Sequence, residues 1–382
     1  MFEKLKSLFA SEQKSLPNLP MVSLYNVGQP YWAPRNYLHF ARTGFSGNAI
    51  AYRCVRMIAE AAASVPLLLY KDQAELTVHP LLELLRKPNP AIGQRELIET
   101  VVSYLLVSGN SFLEVGEVDG IPRELVPLRP DRMQVIPGAR GWVESYRYSV
   151  NGAFSDLKAE NVLHLKLFNP LDDYYGLSPL EAAARSLDTH NSASAWNKAM
   201  LDNAARPSGA LIFSGGDGTL SAQQFERLKT ELETNFQSAA NAGRPMVLEG
   251  GLDWKEMGFS PKDMDFINSK NNAAREIALA FGVPPMLLGI PGDNSFANYA
   301  EANRVFWRQS VVPILRRVID ALTEFVGPQF ENGLRLDLDL DQVEALSHDR
   351  DALWARVNNA SFLTDAEKRQ AVGYGRVQTH SS

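Results

Sequence analysis

The chain has a single cysteine, Cys54, so no disulfide framework can hold one subunit together. Assembly in a reducing cytosol is compatible with that. No window approaches the ~18–20 consecutive apolar residues that a membrane-spanning helix needs. The longest apolar stretches, such as Val65 to Tyr70, have the length of strands. The opening Met1-Phe2-Glu3-Lys4-Leu5-Lys6 mixes charges and has no long apolar core, which is not the pattern of a secretory signal. Basic runs are also missing: Lys and Arg go no further than pairs such as Arg86-Lys87 and Arg316-Arg317, and the net charge is −6. Proteins that grip DNA phosphates concentrate basic side chains, because each contact releases counterions. Tight, sequence-specific DNA binding is therefore not expected. An acidic surface can still handle DNA, since a wall that repels phosphate lets a duplex slide.

What is present is an ordinary globular balance, 45% hydrophobic and 21% charged over 382 residues. The length suits two or three packed regions or one elongated subunit with a sizeable core. Residues 1–45 are interrupted by Pro17, Pro20, Pro30 and Pro34 and predict an irregular arm. Asn48 caps a predicted helix to about residue 63, with Ile50, Cys54, Ile58 and Ala61 at helical spacing. A strand over residues 67–71, a short helix after His79-Pro80 and a longer helix over 94–107 follow. Residues 111–118, 124–128, 133–136, 146–150 and 162–167 read as strands, with Asp119-Gly120 and Asn151-Gly152 as turns. This is an α+β block.

Ser178-Pro179-Leu180-Glu181 is a capped helix start, and that helix is expected to reach about residue 205. A small α/β insert comes next: a strand over 210–213, a helix over 220–236, and strands over 246–249 and 252–257. Ser260-Pro261-Lys262-Asp263 opens a second capped helix to about Phe281, broken by Gly282-Val283-Pro284-Pro285. A long helix over 296–325 should kink or split in two at Pro313. Residues 334–340 alternate as a half-buried strand, and helices over 348–358 and 364–372 close the chain, the last with Thr364 and Glu367 as a capping box.

No catalytic constellation stands out. Ser178 lacks the glycine two residues later that a nucleophile elbow requires, since Leu180 is there. Gly215-Gly216-Asp217-Gly218-Thr219 lacks the Lys-Ser/Thr of a phosphate loop and reads as a turn. The six histidines show no helical metal spacing. Asp337, Asp339 and Asp341 alternate with leucines, which reads as a solvated strand face rather than a metal site. Trp142, Tyr146 and Tyr148 lack the basic groove of a single-strand platform and read as sheet packing. No cofactor or metal is expected.

Several segments nevertheless stand out together as an ordered set. They are Ala63-Ser64-Val65-Pro66-Leu67-Leu68-Leu69-Tyr70, His79-Pro80-Leu81-Leu82, Lys87-Pro88-Asn89-Pro90, Gly109-Asn110-Ser111-Phe112 and Leu128-Arg129-Pro130-Asp131-Arg132. Tyr175-Gly176-Leu177-Ser178-Pro179-Leu180 follows, then Asn203 to Gly209, Asn241-Ala242-Gly243-Arg244-Pro245 and Leu248-Glu249-Gly250-Gly251. The last are Glu276-Ile277-Ala278 with Phe281-Gly282-Val283-Pro284-Pro285, and Asn298-Tyr299-Ala300-Glu301. This ordered set resembles the HK97-type phage portal family, and the compact length resembles portals of gene-transfer-agent particles.

The resemblance implies a subunit of a twelve-membered ring at one capsid vertex, through which double-stranded DNA is packed and ejected without sequence specificity. The terminase large subunit, a head–tail adaptor and the major capsid protein would be its partners, with no membrane and no enzyme activity. It also implies an arm over residues 1–45, a wing over 46–177, a first stem helix over 178–206, a clip over 207–260 and a second stem helix over 261–284. A tunnel loop would span 285–296, a long kinked helix and wing strand 297–344, and a reduced crown with the tail 345–382. The DNA-facing loop residues would be Met286, Leu287, Leu288, Gly289, Ile290, Pro291, Gly292, Asp293, Asn294 and Ser295. Lys270 and Arg304 are candidate phosphate contacts in the channel. Twelve subunits at −6 each would carry about −70 in all, a repulsion screened beyond roughly 8 Å in physiological salt. The alternatives are a DNA-processing enzyme of the packaging machinery, which should show a phosphate loop or clustered acids with basic partners, and a capsid adaptor, which would be much shorter.

Overall fold

Helix α1, Ala49–Ser64, forms because apolar residues recur every three to four positions and Asn48 caps it. The Asn48 side-chain oxygen accepts from the Ile50 and Ala51 amides at 3.0 and 3.1 Å. The computed structural model describes residues 36–72, 74–202, 209–213, 223, 226–227, 229–230, 252–256, 266–291 and 296–374. All lie in the unit Pro34–Ser382. The expected arm over 1–45 falls outside them as far as residue 35. The described part is not irregular: Asn36 caps a turn Tyr37–His39 that continues as a π-helical turn Phe40–Phe45, and Phe40 is buried.

After α1 come strands β1, Leu67–Lys71, and β2, Ala74–Glu75, then α2, Pro80–Arg86, capped by His79 Nδ1, and α3, Gln94–Ser108. Strands β3, Asn110–Val118, β4, Ile121–Leu128, β5, Met133–Pro137, β6, Val143–Val150, β7, Ala153–Lys158, and β8, Val162–Lys166, follow. They make two antiparallel sheets, ordered β4-β3-β8 and β5-β6-β7. Asp119-Gly120 and Asn151-Gly152 join neighbours with φ positive at both positions, the geometry of tight hairpins. The sequence does not announce β7: all but one of its residues are exposed, so it has no apolar alternation. Its pairing to β6 and the Arg147–Asp156 fork at 2.7 and 3.0 Å hold it at the edge.

The expected helix over 178–205 breaks at Ala183, giving α4, Pro179–Ala182, and α5, Ala184–Asp202. The short turn sinks Leu180 completely into the core beneath Gly44, where a Cβ would lie 2.7 Å from Leu180 Cδ2. Strands β9, Gly209–Phe213, and β10, Leu252–Glu256, pair antiparallel. Between them, residues 223, 226–227 and 229–230 are helical, as expected. The expected strand over 246–249 and the capped start at Ser260-Pro261 lie outside the described residues. Helix α6, Phe266–Ala280, comes next.

The long helix is α7, Phe296–Phe306, a π-helical turn Trp307–Val311, and α8, Val312–Val326. The break precedes Pro313, which sits in the first turn of α8, where its missing N–H costs little. Strand β11, Leu334–Leu338, buries Leu334, Leu336 and Leu338 and joins β1 and β2 in the order β11-β1-β2. Asp339 and Asp341 leave the strand: Asp339 caps a 3-10 turn, and Asp341 takes Arg350 and the Tyr374 hydroxyl. Helices α9, Ser347–Asn358, and α10, Asp365–Ala371, end the described chain, α10 with the full Thr364–Glu367 capping box.

The main core joins α1, α3 and α8 to the β1 and β3 sheets. At ~1.5–3 kcal/mol for each large aliphatic side chain, this burial dominates the stability. One junction is tighter than the rest. Gly109 ends α3 with φ +76°, and a Cβ there would stand 2.4 Å from the Gly176 carbonyl oxygen. Reciprocally, a Cβ on Gly176 would meet the Gly109 oxygen at 2.1 Å. Asn110 Oδ1 accepts from Gly176 N at 2.8 Å and from His164 Nε2 at 3.1 Å. Two segments of the family pattern, around Gly109 and Gly176, thus meet backbone to backbone. Gly176→Ala is expected to cost about 3 kcal/mol or more, or to prevent folding, whereas Gly152→Ala at an open turn costs far less. Thermal denaturation of the two variants checks the difference.

Candidate functional site

The expected functional elements are the paired helices α5 and α6 and the loop after them. Ala193, Ala273 and Ala274 are buried and let the two helices approach closely, and Ser186 Oγ donates to Glu276 at 2.5 Å. Ala195 and Ala199 are exposed on the single chain. The pair is tied to the body by a buried polar relay. Asn48 Nδ2 donates to His190 Nδ1 at 2.9 Å and to Asn191 Oδ1 at 2.8 Å, and Asn191 donates to the Thr43 carbonyl at 3.0 Å. Because Asn48 Oδ1 already serves the α1 amides, its amide orientation is fixed, and His190 Nδ1 must be the unprotonated nitrogen. Burial, and then the Lys270 charge, hold His190 below its ordinary pKa.

The loop begins at Gly282. Its carbonyl accepts from Ser310 Oγ at 2.6 Å, which fastens the end of α6 to the π-helical turn. Pro285–Leu288 then forms a 3-10 turn. Leu287 and Leu288 pack on the main core, Gly289 takes φ +71°, and Ile290 is buried against Ala274 and Ala278. Arg275 donates to the Pro291 carbonyl. Met286 to Pro291 is therefore a folded turn set on the body, not a free loop. Gly292, Asp293, Asn294 and Ser295 lie outside the described residues.

Lys270 sits half-buried on α6 beside His190. Arg304, on α7, pairs with Glu301 at 2.6 Å and with Asp349 at 3.2 Å, which raises its pKa further. Among the described residues no hydrogen bond or ion pair joins Lys270 to Arg304. His164 is a satisfied residue of the sheet, its Nε2 donating to Asn110 Oδ1. It stacks on Phe112 with ring centroids 4.1 Å apart, and burial, then Lys166, hold its pKa down to about 3. Trp142, expected as sheet packing, is exposed, while Tyr146 is buried. Among the described residues no three His, Cys, Asp or Glu converge as a metal site, and no helix is long and apolar enough to cross a membrane.

The sequence model of phage portal proteins matches residues 49–373. The chain belongs to the phage portal protein family. It is 41% identical over 345 residues to a protein of Rickettsia bellii, covering 88% of this chain and 89% of that one. It is 27% identical over 296 residues to the portal protein of Enterobacteria phage HK97, covering 74% and 68%. Among solved structures it matches a chain in the neck of a native gene-transfer-agent particle computed with C12 symmetry, at 52% identity and TM-score 0.68, covering 92% and 96%.

The portal match begins on the first residue of α1 and ends at Gly373, whose carbonyl accepts from Tyr70 at 2.9 Å. The end is fixed chemically: Asp341 takes both Arg350 and the Tyr374 hydroxyl, at 2.6 Å for the latter, which pushes that phenol up to about 12. No local pattern signals the Asn48–His190 relay, because its partners lie 142 residues apart.

His164 and His190 both take up protons at lower pH in the native state than in the unfolded chain, where the pKa is about 6.5. Their stabilisation is fully present above that pH and is lost as pH falls toward about 3 for His164. The lowered carboxylates Asp156, Glu331, Asp341 and Glu367 contribute stability that is fully present above their ordinary range near 4 and is lost only as pH falls below it. Between about pH 6.5 and 4.5, His164→Phe should therefore cut the slope of stability against pH by up to ~1.4 kcal/mol per unit. Denaturant midpoints across that range measure it. Asn48→Ala should cost about 2–4 kcal/mol by losing cap and relay together, and Asn48→Ser less, since it keeps a capping oxygen.

Proposed function

We propose that copies of this chain form a twelve-membered ring at one vertex of a capsid, the channel through which double-stranded DNA enters and leaves. The carrying observation is the 52% identity, over 92% of the chain, to a chain in a particle neck computed with C12 symmetry. The role is structural, as in the portal family. The terminase large subunit during packaging, a head–tail adaptor afterwards and the major capsid protein are the proposed partners. The acidic balance, −6 per chain, supports passage without grip.

Within the subunit, residues 46–177 form the proposed wing, with β11 added to β1 in the same body. Helices α4 and α5, and α6, are the proposed stem, and residues 207–260, including the β9–β10 pair, the proposed clip. Residues 285–296 are the proposed tunnel loop. The anchoring of Pro285–Leu288 and Ile290 supports a channel constriction held at fixed radius. Residues 345–382 form the proposed crown. Of the two candidate phosphate contacts, Lys270 is the better, because Arg304 already serves two carboxylates.

Negative-stain microscopy of the purified chain should show rings with a central hole. A discrete monomer with nuclease or ATPase activity would refute the portal reading in favour of a packaging enzyme. In assembled particles, Lys270→Gln should change the amount of DNA packaged and its salt dependence. Arg304→Gln should mainly loosen α9, by removing the partner of Asp349. Packaging untouched by both would remove the phosphate-contact proposal.

A further inference from the structure

Helix α3 spans the body, about 22 Å from end to end at 1.5 Å per residue. Its two ends carry surfaces of opposite shape. At its carboxyl end, Leu167 N donates to the Gly109 carbonyl at 2.8 Å, and the loop over residues 167–175 projects from there. Phe168 is 80% exposed and Leu171 91% exposed on this loop. The loop is nonetheless rigidly built. Asn169 Nδ2 donates to the Tyr175 carbonyl at 3.0 Å, and its Oδ1 accepts from Leu171 N at 3.0 Å. Asp172 Oδ1 accepts from Tyr174 N at 2.7 Å and Tyr175 N at 3.0 Å, and the Tyr174 hydroxyl donates to the Gly141 carbonyl at 2.9 Å. Two large apolar side chains are thus displayed on a preorganised knob, which lowers the ordering entropy of docking.

At the amino end of α3 lies an open groove of about 550 Å³. Ala63, Val65 and Pro66 from the end of α1 line it with Gly93, Gln94 and Arg95. Ser64 joins it to a neighbouring groove of about 720 Å³ that reaches Trp307 and Val343. A ring closed by rotation needs this arrangement: two different, complementary patches on opposite sides of each subunit. Exposed Asp172 and Asp173 follow Leu171, and exposed Arg95 on the groove rim can pair with one of them, while Glu96 leaves the rim without net charge.

We infer that the 167–175 knob of one copy docks, through Phe168 and Leu171, into the α1–α3 groove of the next copy around the ring. This contact rests on the ring reading above and names the surfaces that close it.

A cysteine trap tests it on the full chain, because the native Cys54 is fully buried. Under mild oxidation, Leu171→Cys and Ser64→Cys chains mixed together should give disulfide dimers and no longer species. The Leu171→Cys/Ser64→Cys double variant should give a ladder of covalent oligomers ending at the ring. Leu171→Asp should leave the folded monomer intact by circular dichroism. It should raise the concentration for half-assembly about ten- to a hundred-fold, the loss expected for one buried leucine. Rings that form normally without the ladder, or a Leu171→Asp chain that assembles like the parent, overturn this contact and leave the portal reading standing. A parent chain that forms no ring at all overturns the portal reading and this contact with it.

Discussion

The backbone crossing of Gly109 and Gly176 is the constraint on which the rest of the subunit hangs. Four elements meet there: the end of α3, the start of β3, the end of β8 and the turn that leads into α4. No side chain fits between the two main chains, and their carbonyls and amides are satisfied by the Leu105 carbonyl, the Leu167 amide and the Asn110 side chain. That side chain serves both segments at once, and His164 closes the remaining acceptor position. Because buried polar groups are costly when unpaired, the four-way joint is stiff in one geometry. Ser178, two residues on, then starts the helices with its own cap, so the direction of α4 is inherited from the joint.

A second polar joint sets α5. Asn48 caps α1 with its oxygen and holds His190 and Asn191 with its nitrogen, so one amide ties the body's central helix to the paired helices. Ser310 does the same farther along, linking the π-helical turn to the end of α6. The helix pair and the turn at 285–291 are therefore fixed to the body by a few directional bonds, while burial of leucine, isoleucine and valine supplies the bulk of the free energy.

The chemistry of the chain is consistent with a structural role throughout. The acidic strand face disperses on folding: Asp337 takes Arg316 and Arg335, Asp339 caps a turn, and Asp341 clamps the carboxyl-terminal helices through Arg350 and Tyr374. Each carboxylate is spent on local order. Surface ion pairs of this kind add little stability singly, and here they orient segments.

Much of the secondary structure was legible in the sequence. Asn48, Ser178 and Thr364 announced their helices because a capping hydrogen bond spans only two or three residues, and the paired turn residues announced two hairpins by local steric rules. Family pattern also identified the portal relationship. The misses share one cause. Strand β7 is nearly all exposed, the break at Ala183 comes from Leu180 sinking under Gly44, and the π-helical turn before Pro313 is fastened by Gly282, all decided by partners remote in sequence. By itself the sequence determined which segments are helix or strand, that the chain is acidic and free of disulfides, and its family. Only the tertiary structure decided that Gly109 meets Gly176, that Met286 to Pro291 is anchored rather than free, that Arg304 is already paired, and that α3 carries a knob at one end and a groove at the other. Local rules fix a residue's own dihedrals, and contacts across a hundred residues exist only once the chain has closed on itself.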